Sequence, residues 1–112
     1  MERIPVGSVV LVFFPYPDST GGKRRPALVI AEANAEEYFL LEITSQPKQF
    51  PSGLFITGED FESGGLRLPS QVRCDRLFTA HESVINPKAG KLKSDKFQTI
   101  LAKTLSLFPK VS

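Results

Sequence analysis

The chain has 112 residues, with one cysteine, no tryptophan, nine phenylalanines and a formal net charge of +2. That length suits one domain. The lone cysteine excludes an intramolecular disulfide and a cysteine-rich zinc site, and so small a charge gives only a weak whole-molecule field. The longest apolar run, 9–14, is far shorter than the roughly 20 residues that a bilayer helix needs. With no secretory pattern at its start, the sequence reads as one cytoplasmic domain over 1–112 with no membrane role.

The first element is a β-branched and aromatic run over 8–14 that follows Gly7 and predicts a strand. Pro15, Pro17, Asp18, Ser19, Gly21 and Gly22 then punctuate a loop. The basic block Lys23-Arg24-Arg25 reads as an exposed turn between Gly21 and Pro26, because Pro26 limits Arg25 to an extended conformation. Residues 27–31 predict a second, continuously apolar strand, so the two strands form a long hairpin with a functional loop at its tip. A polar turn over 34–37 leads to a third strand over 38–44. A loop over 48–53 and a short strand over 54–56 follow, then a polar, glycine-containing excursion over 60–65. Residues 71–77 alternate as a half-buried strand does, which puts Arg73 and Asp75 on one face and Cys74 on the other. From Phe97 the period changes. Phe97, Ile100, Leu101, Thr104, Leu105 and Phe108 lie at helical spacing, with Ser94 placed to cap and Asp95 in the first turn. The simplest assembly is a strongly bent antiparallel sheet with one C-terminal amphipathic helix laid over it.

Among the groups that carry chemistry, His81 is alone and reads as a surface residue near a turn. No serine stands in a nucleophile elbow, and no carboxylate cluster accompanies His81 as a metal site would need. Gly21-Gly22-Lys23 is not a nucleotide phosphate loop, since a proline and a strand follow instead of Ser/Thr and a helix. The guanidinium of Arg25 offers a planar fork of donors suited to phosphate. Lys88, Lys91, Lys93 and Lys96 form a looser set, equally readable as a solvated surface. By spacing alone Arg73 and Asp75 read first as a structural ion pair. Lys48 and Phe50 could grip a phosphate and stack a base, but read first as an exposed loop lysine and a packed ring. An arginine fork, the Thr44 hydroxyl and the Arg73/Asp75 pair in one groove would nonetheless suffice to cleave RNA. Attack by the 2′-hydroxyl needs one proton accepted, another supplied and charge stabilised at phosphorus. No metal or cofactor is required.

These residues resemble the PemK/MazF family of toxin endoribonucleases. The resemblance runs through Gly7-Ser8-Val9-Val10-Leu11-Val12, Phe14-Pro15-Tyr16, Lys23-Arg24-Arg25-Pro26-Ala27-Leu28-Val29-Ile30, Ile43-Thr44-Ser45-Gln46, Val72-Arg73-Cys74-Asp75 and Gly90-Lys91-Leu92 with the helix after it. It spans nearly the whole chain in order, and the Lys-x-Arg-Pro strand start is its most specific part. It implies a mainly β fold, a small SH3-like β-barrel of the CcdB/PemK/MazF type with a C-terminal helix, acting as a homodimer. It implies sequence-selective cleavage of single-stranded RNA and a cognate antitoxin that blocks the same groove. Arg25 and Thr44 are similar to the MazF-type catalytic pair, and Arg73 and Asp75 to the acid and base of the PemK branch. Lys23, Arg24, Ser45, Gln46 and Lys48 are then the RNA-binding residues. The chain departs from the PemK branch in its first loop, where Tyr16-Pro17-Asp18 holds no histidine. The other reading is a non-catalytic module that binds nucleic acid or, like CcdB, a gyrase. That reading has no need of the Arg25-Pro26 and Arg73/Asp75 sets.

Overall fold

The computed structural model describes residues 3–15 and 22–110. In chain order its strands are β1 (Ser8–Pro15), β2 (Gly22–Glu32), β3 (Glu37–Thr44), β4 (Gly53–Ile56), β5 (Phe61–Gly64), β6 (Ser70–His81) and β7 (Ile85–Leu92). Helix α1 (Ser94–Ser106) ends the fold, and 3-10 turns lie at Gly58–Asp60 and Glu82–Val84. The strands form one antiparallel sheet in the order β4-β6-β3-β2-β1-β7-β5.

The protein is mainly β with one C-terminal helix, as the sequence predicts, but the sheet is open. Its edge strands β4 and β5 are successive in the chain, so the sheet curls round on itself, yet no ladder joins them. The helical turn Gly58–Asp60 between them is not a two-residue hairpin turn and does not set up pairing. The expected SH3-like closure is corrected to that extent.

Both faces of the sheet are covered, which explains why the runs 9–14 and 27–31 are continuously apolar rather than alternating. Val9 and Leu28, directly opposite each other, pack with Leu41, Val72, Cys74 and Leu92 beneath Phe97 and Ile100 of α1. Val10, Val12, Ala27 and Val29 point the other way and pack with Tyr38 and Leu40. The Tyr38 hydroxyl accepts the Ile4 N–H at 3.1 Å, and Arg3 reaches Glu32 at 2.8 Å, so the N-terminal segment is tied across this second cluster.

Several expectations are corrected. The basic block is not a turn: Lys23, Arg24 and Arg25 belong to β2, paired with Phe14, Phe13 and Val12 of β1. The expected loop residues Tyr16, Pro17, Asp18, Ser19 and Gly21 lie outside the described residues. The polar excursion over 60–65 contains β5, and β6 runs on to His81. Strand β7 has no alternating signal, because Pro87 lacks an N–H and the β1–β7 register shifts between Val9 and Leu11. Helix α1 is capped at Lys93 and starts with Ser94, and no side-chain bond caps it. Phe97, Ile100 and Thr104 are buried, whereas Leu105 and Phe108 are exposed.

Candidate functional site

The polar end of the sheet is built by strand register. Thr44 is the last residue of β3 and lies opposite Gln71 of β6. The β2–β3 ladder has Leu28 opposite Leu41 and Ala27 opposite Glu42, and two further steps of that register align Arg25 with Thr44. Thr44 and Gln71 are thus neighbours across β3 and β6, and Arg25 lies past the end of the β2–β3 ladder on the line that continues them. Arg73 follows two residues after Gln71 on β6 and pairs with Gly53 of β4.

Between Ile43 and Leu41 the partner in β6 jumps from Val72 to Leu77. Residues 73–76 are therefore released from β3, a bulge that re-aims side chains. Cys74 turns inward toward the helix, its sulfur 3.9 Å from the Ile100 carbonyl, and burial pushes its thiol pKa up. Arg73 and Asp75 share the outer side, Nη2 to Oδ2 at 3.5 Å. That is the long end of a hydrogen bond, so the pair is loosely coupled. The Arg73 side chain is largely buried and Asp75 is more open.

The loop over 45–52 closes this end. The Thr44 hydroxyl oxygen accepts the Gln46 N–H at 3.2 Å, and its own proton can still be donated to an anion. Phe50 is buried beneath two cations: the Arg73 guanidinium lies 4.1 Å from the ring centroid and the Lys48 ammonium 5.1 Å. Phe50 is thus a packed ring and a platform for cations, not a surface for stacking a base.

The remaining sequence-predicted residues are spread more widely. By strand alternation Lys23 shares the face of Arg25, while Arg24 points to the opposite one. Arg24 lines a cavity of about 310 Å³ with Phe13, Ser83 and Asn86. Ser45 lines a separate hollow of about 400 Å³ with Leu11, Pro26, Leu66, Leu68 and Ser70. Gln46 is exposed at the start of the loop. Sequence reasoning missed Gln71: in the alternating stretch 71–77 it falls on the polar side with Arg73 and Asp75, so nothing marked it as buried.

His81 ends β6 and caps the turn Glu82–Val84, its Nδ1 accepting the Ser83 N–H at 3.1 Å. That fixes the proton on Nε2, which faces Glu36 at 3.0 Å. The Ser83 hydroxyl also lies 2.9 Å from Nδ1, but all three side chains are exposed and the ring's acceptor is already engaged by backbone. Two of the looser lysines, Lys91 and Lys96, lie 4.0 Å from Glu62 and Asp60. Among the described residues, no three His, Cys, Asp or Glu side chains gather as they would around a metal, and no helix is long and apolar enough to cross a membrane.

Fold and site together define a small antiparallel β protein whose sheet ends in a face rich in cations and hydroxyls. The chain belongs to the PemK-like, MazF-like toxins of type II toxin–antitoxin systems, whose family model matches residues 6–108. No curated protein sequence matches it. Its fold is similar to that of a MazE–MazF complex from Deinococcus radiodurans, at 22% identity and a TM-score of 0.74, over 94% of this chain and 96% of that one. It is similar also to the Mycobacterium tuberculosis toxin MazF-mt6 (18% identity, 88% and 93% coverage, TM-score 0.63). A third similar structure is an endoribonuclease in complex with its cognate antitoxin from a mycobacterial species (18% identity, 95% and 99% coverage, TM-score 0.64).

Proposed function

We propose that this toxin is a sequence-selective, metal-independent endoribonuclease that cleaves single-stranded RNA. It works as a single-domain homodimer in the cytoplasm and is held in check by a cognate antitoxin. The observation that carries the reading is the polar sheet end, where Thr44, Arg73, Asp75 and Lys48 gather about one loop and the strand register aligns Arg25 with Thr44. Family membership and a similar fold described as an endoribonuclease with its antitoxin support it.

In the proposed reaction the RNA 2′-oxygen attacks the adjacent phosphorus and the P–O5′ bond breaks, leaving a 2′,3′-cyclic phosphate and a 5′-hydroxyl. Asp75 takes the 2′-hydroxyl proton, and the departing 5′-oxygen takes a proton from solvent water, to which Asp75 later returns its own. Arg25 binds the scissile phosphate, Thr44 donates to a phosphoryl oxygen, and Arg73 orients Asp75 and offsets the growing negative charge. Arginine stays protonated at neutral pH, so charge stabilisation suits Arg73 better than proton donation. Lys23, Arg24, Ser45, Gln46 and Lys48 hold the flanking strand. Arg24 and Ser45 line separate hollows, so a bound strand bends over the end of the sheet.

The test is incubation of the purified protein with a mixed-sequence RNA in EDTA. Discrete fragments ending in 5′-hydroxyls are expected. Intact RNA would overturn the nuclease reading in favour of a non-catalytic binding module.

A further inference from the structure

Gln71 is fully buried yet its side chain lies among polar groups, and among the described residues its side-chain hydrogen bonds all go to one loop. Its Oε1 accepts the Phe50 N–H and the Gln49 Nε2–H, each at 3.2 Å. Its Nε2 donates to the Lys48 carbonyl at 2.5 Å and to the Gln46 carbonyl at 3.4 Å. A Cβ on Gly53 would stand 2.1 Å from Oε1, so the glycine leaves room for the amide. One side chain therefore satisfies the backbone at three alternate positions, 46, 48 and 50, in a segment that has no ladder of its own, and it does so from the position opposite Thr44.

The loop so held carries Phe50. The Arg73 guanidinium lies over that ring, and its buried Nε meets no hydrogen-bond acceptor among the described residues. Asp75, at 3.5 Å, is the more open partner of the guanidinium, and the Phe50 ring face is the buried one. Lys48 approaches the same ring, so two cations are gathered on one aromatic platform.

We propose that Gln71 and Phe50 are positioning residues of the RNA site: the Gln71 amide sets the 46–53 loop, and the Phe50 ring holds Arg73 beside Thr44. The proposal rests on the nuclease reading for its kinetic consequence, whereas the arrangement of Arg73 stands on geometry alone. Arg73 and Phe50 then act as one unit, so removing the ring matters only while the guanidinium is present.

The experiment combines side-chain NMR with a double-mutant cycle on the full chain. In the wild type, the Arg73 Nε–H resonance is expected to be shifted upfield by the ring and protected from exchange. Phe50→Leu, which keeps apolar bulk, should return it to the ordinary arginine position, and Phe50→Tyr should retain the shift. Gln71→Met should move it too, through the loop. On RNA, Phe50→Leu should lower kcat about tenfold with KM little changed, and should have no further effect in an Arg73→Ala background. An unshifted wild-type resonance, or independent losses that multiply in the double variant, would overturn the proposal. If the wild type leaves RNA intact while the resonance behaves as expected, the positioning stands and the nuclease reading falls.

Discussion

Arg25 and Arg24 are neighbours of identical chemistry, and the strand separates them. Val12 stands opposite Arg25 and Phe13 opposite Arg24, so the two guanidiniums serve opposite faces of the sheet. Only the Arg25 face is continuous with Thr44 and Gln71. Arg25→Ala is therefore expected to lower RNA cleavage by about two to four orders of magnitude, with an unchanged circular dichroism spectrum. Near-normal cleavage by that variant would remove Arg25 from the scissile phosphate. At this scale the chemistry of the guanidinium, the hydroxyl and the carboxylate was legible in the sequence. Phe50 read as a packed ring and is one, but the cation over it was not legible, because Arg73 lies on a strand far along the chain.

At the scale of elements, the central strands announced themselves through β-branched and aromatic runs, and α1 through its helical spacing. Strands β5 and β7 did not. Their pairing brings backbone against backbone at Gly64 and Gly90, where side chains that would have given an alternating signal are missing. A Cβ on Gly90 would lie 2.7 Å from the Ser63 carbonyl oxygen and 2.9 Å from the Gly65 nitrogen, both main-chain atoms with little freedom to move. Gly90→Ala is accordingly expected to cost about 1–3 kcal/mol, as overpacking does, or roughly 4–12 °C in Tm for a chain of this size. A thermal melt at neutral pH checks this; an unchanged Tm would mean that the β5–β7 edge separates at little cost.

For the molecule as a whole, a net charge of +2 conceals an uneven distribution. Lys91 and Lys96 face carboxylates, while Lys23, Arg24, Arg25 and Lys48 collect at the end of the sheet that holds Thr44. If those four side chains each neutralise one phosphate, RNA affinity falls with salt along a log–log slope of about −3, from roughly −0.7 per contact on a single strand. Titrations between low and physiological salt measure that slope, and Lys48→Ala should make it shallower by about 0.7. A slope near zero would show that the cluster does not meet the RNA backbone.

The sequence by itself determined the apolar runs that must be strands buried on both faces, the helix that covers one of them, and the residue types able to cleave a phosphodiester. Those properties are local: they depend on side-chain chemistry and on the period of two or 3.6 that each segment carries. Only the tertiary structure decided that the sheet stays open, that Lys23-Arg24-Arg25 lies within a strand and faces both ways, and that Gln71 ties the loop beside Thr44. Each of these depends on register between segments far apart in the chain, where a bulge of a few residues in β6 changes which side chains share a face.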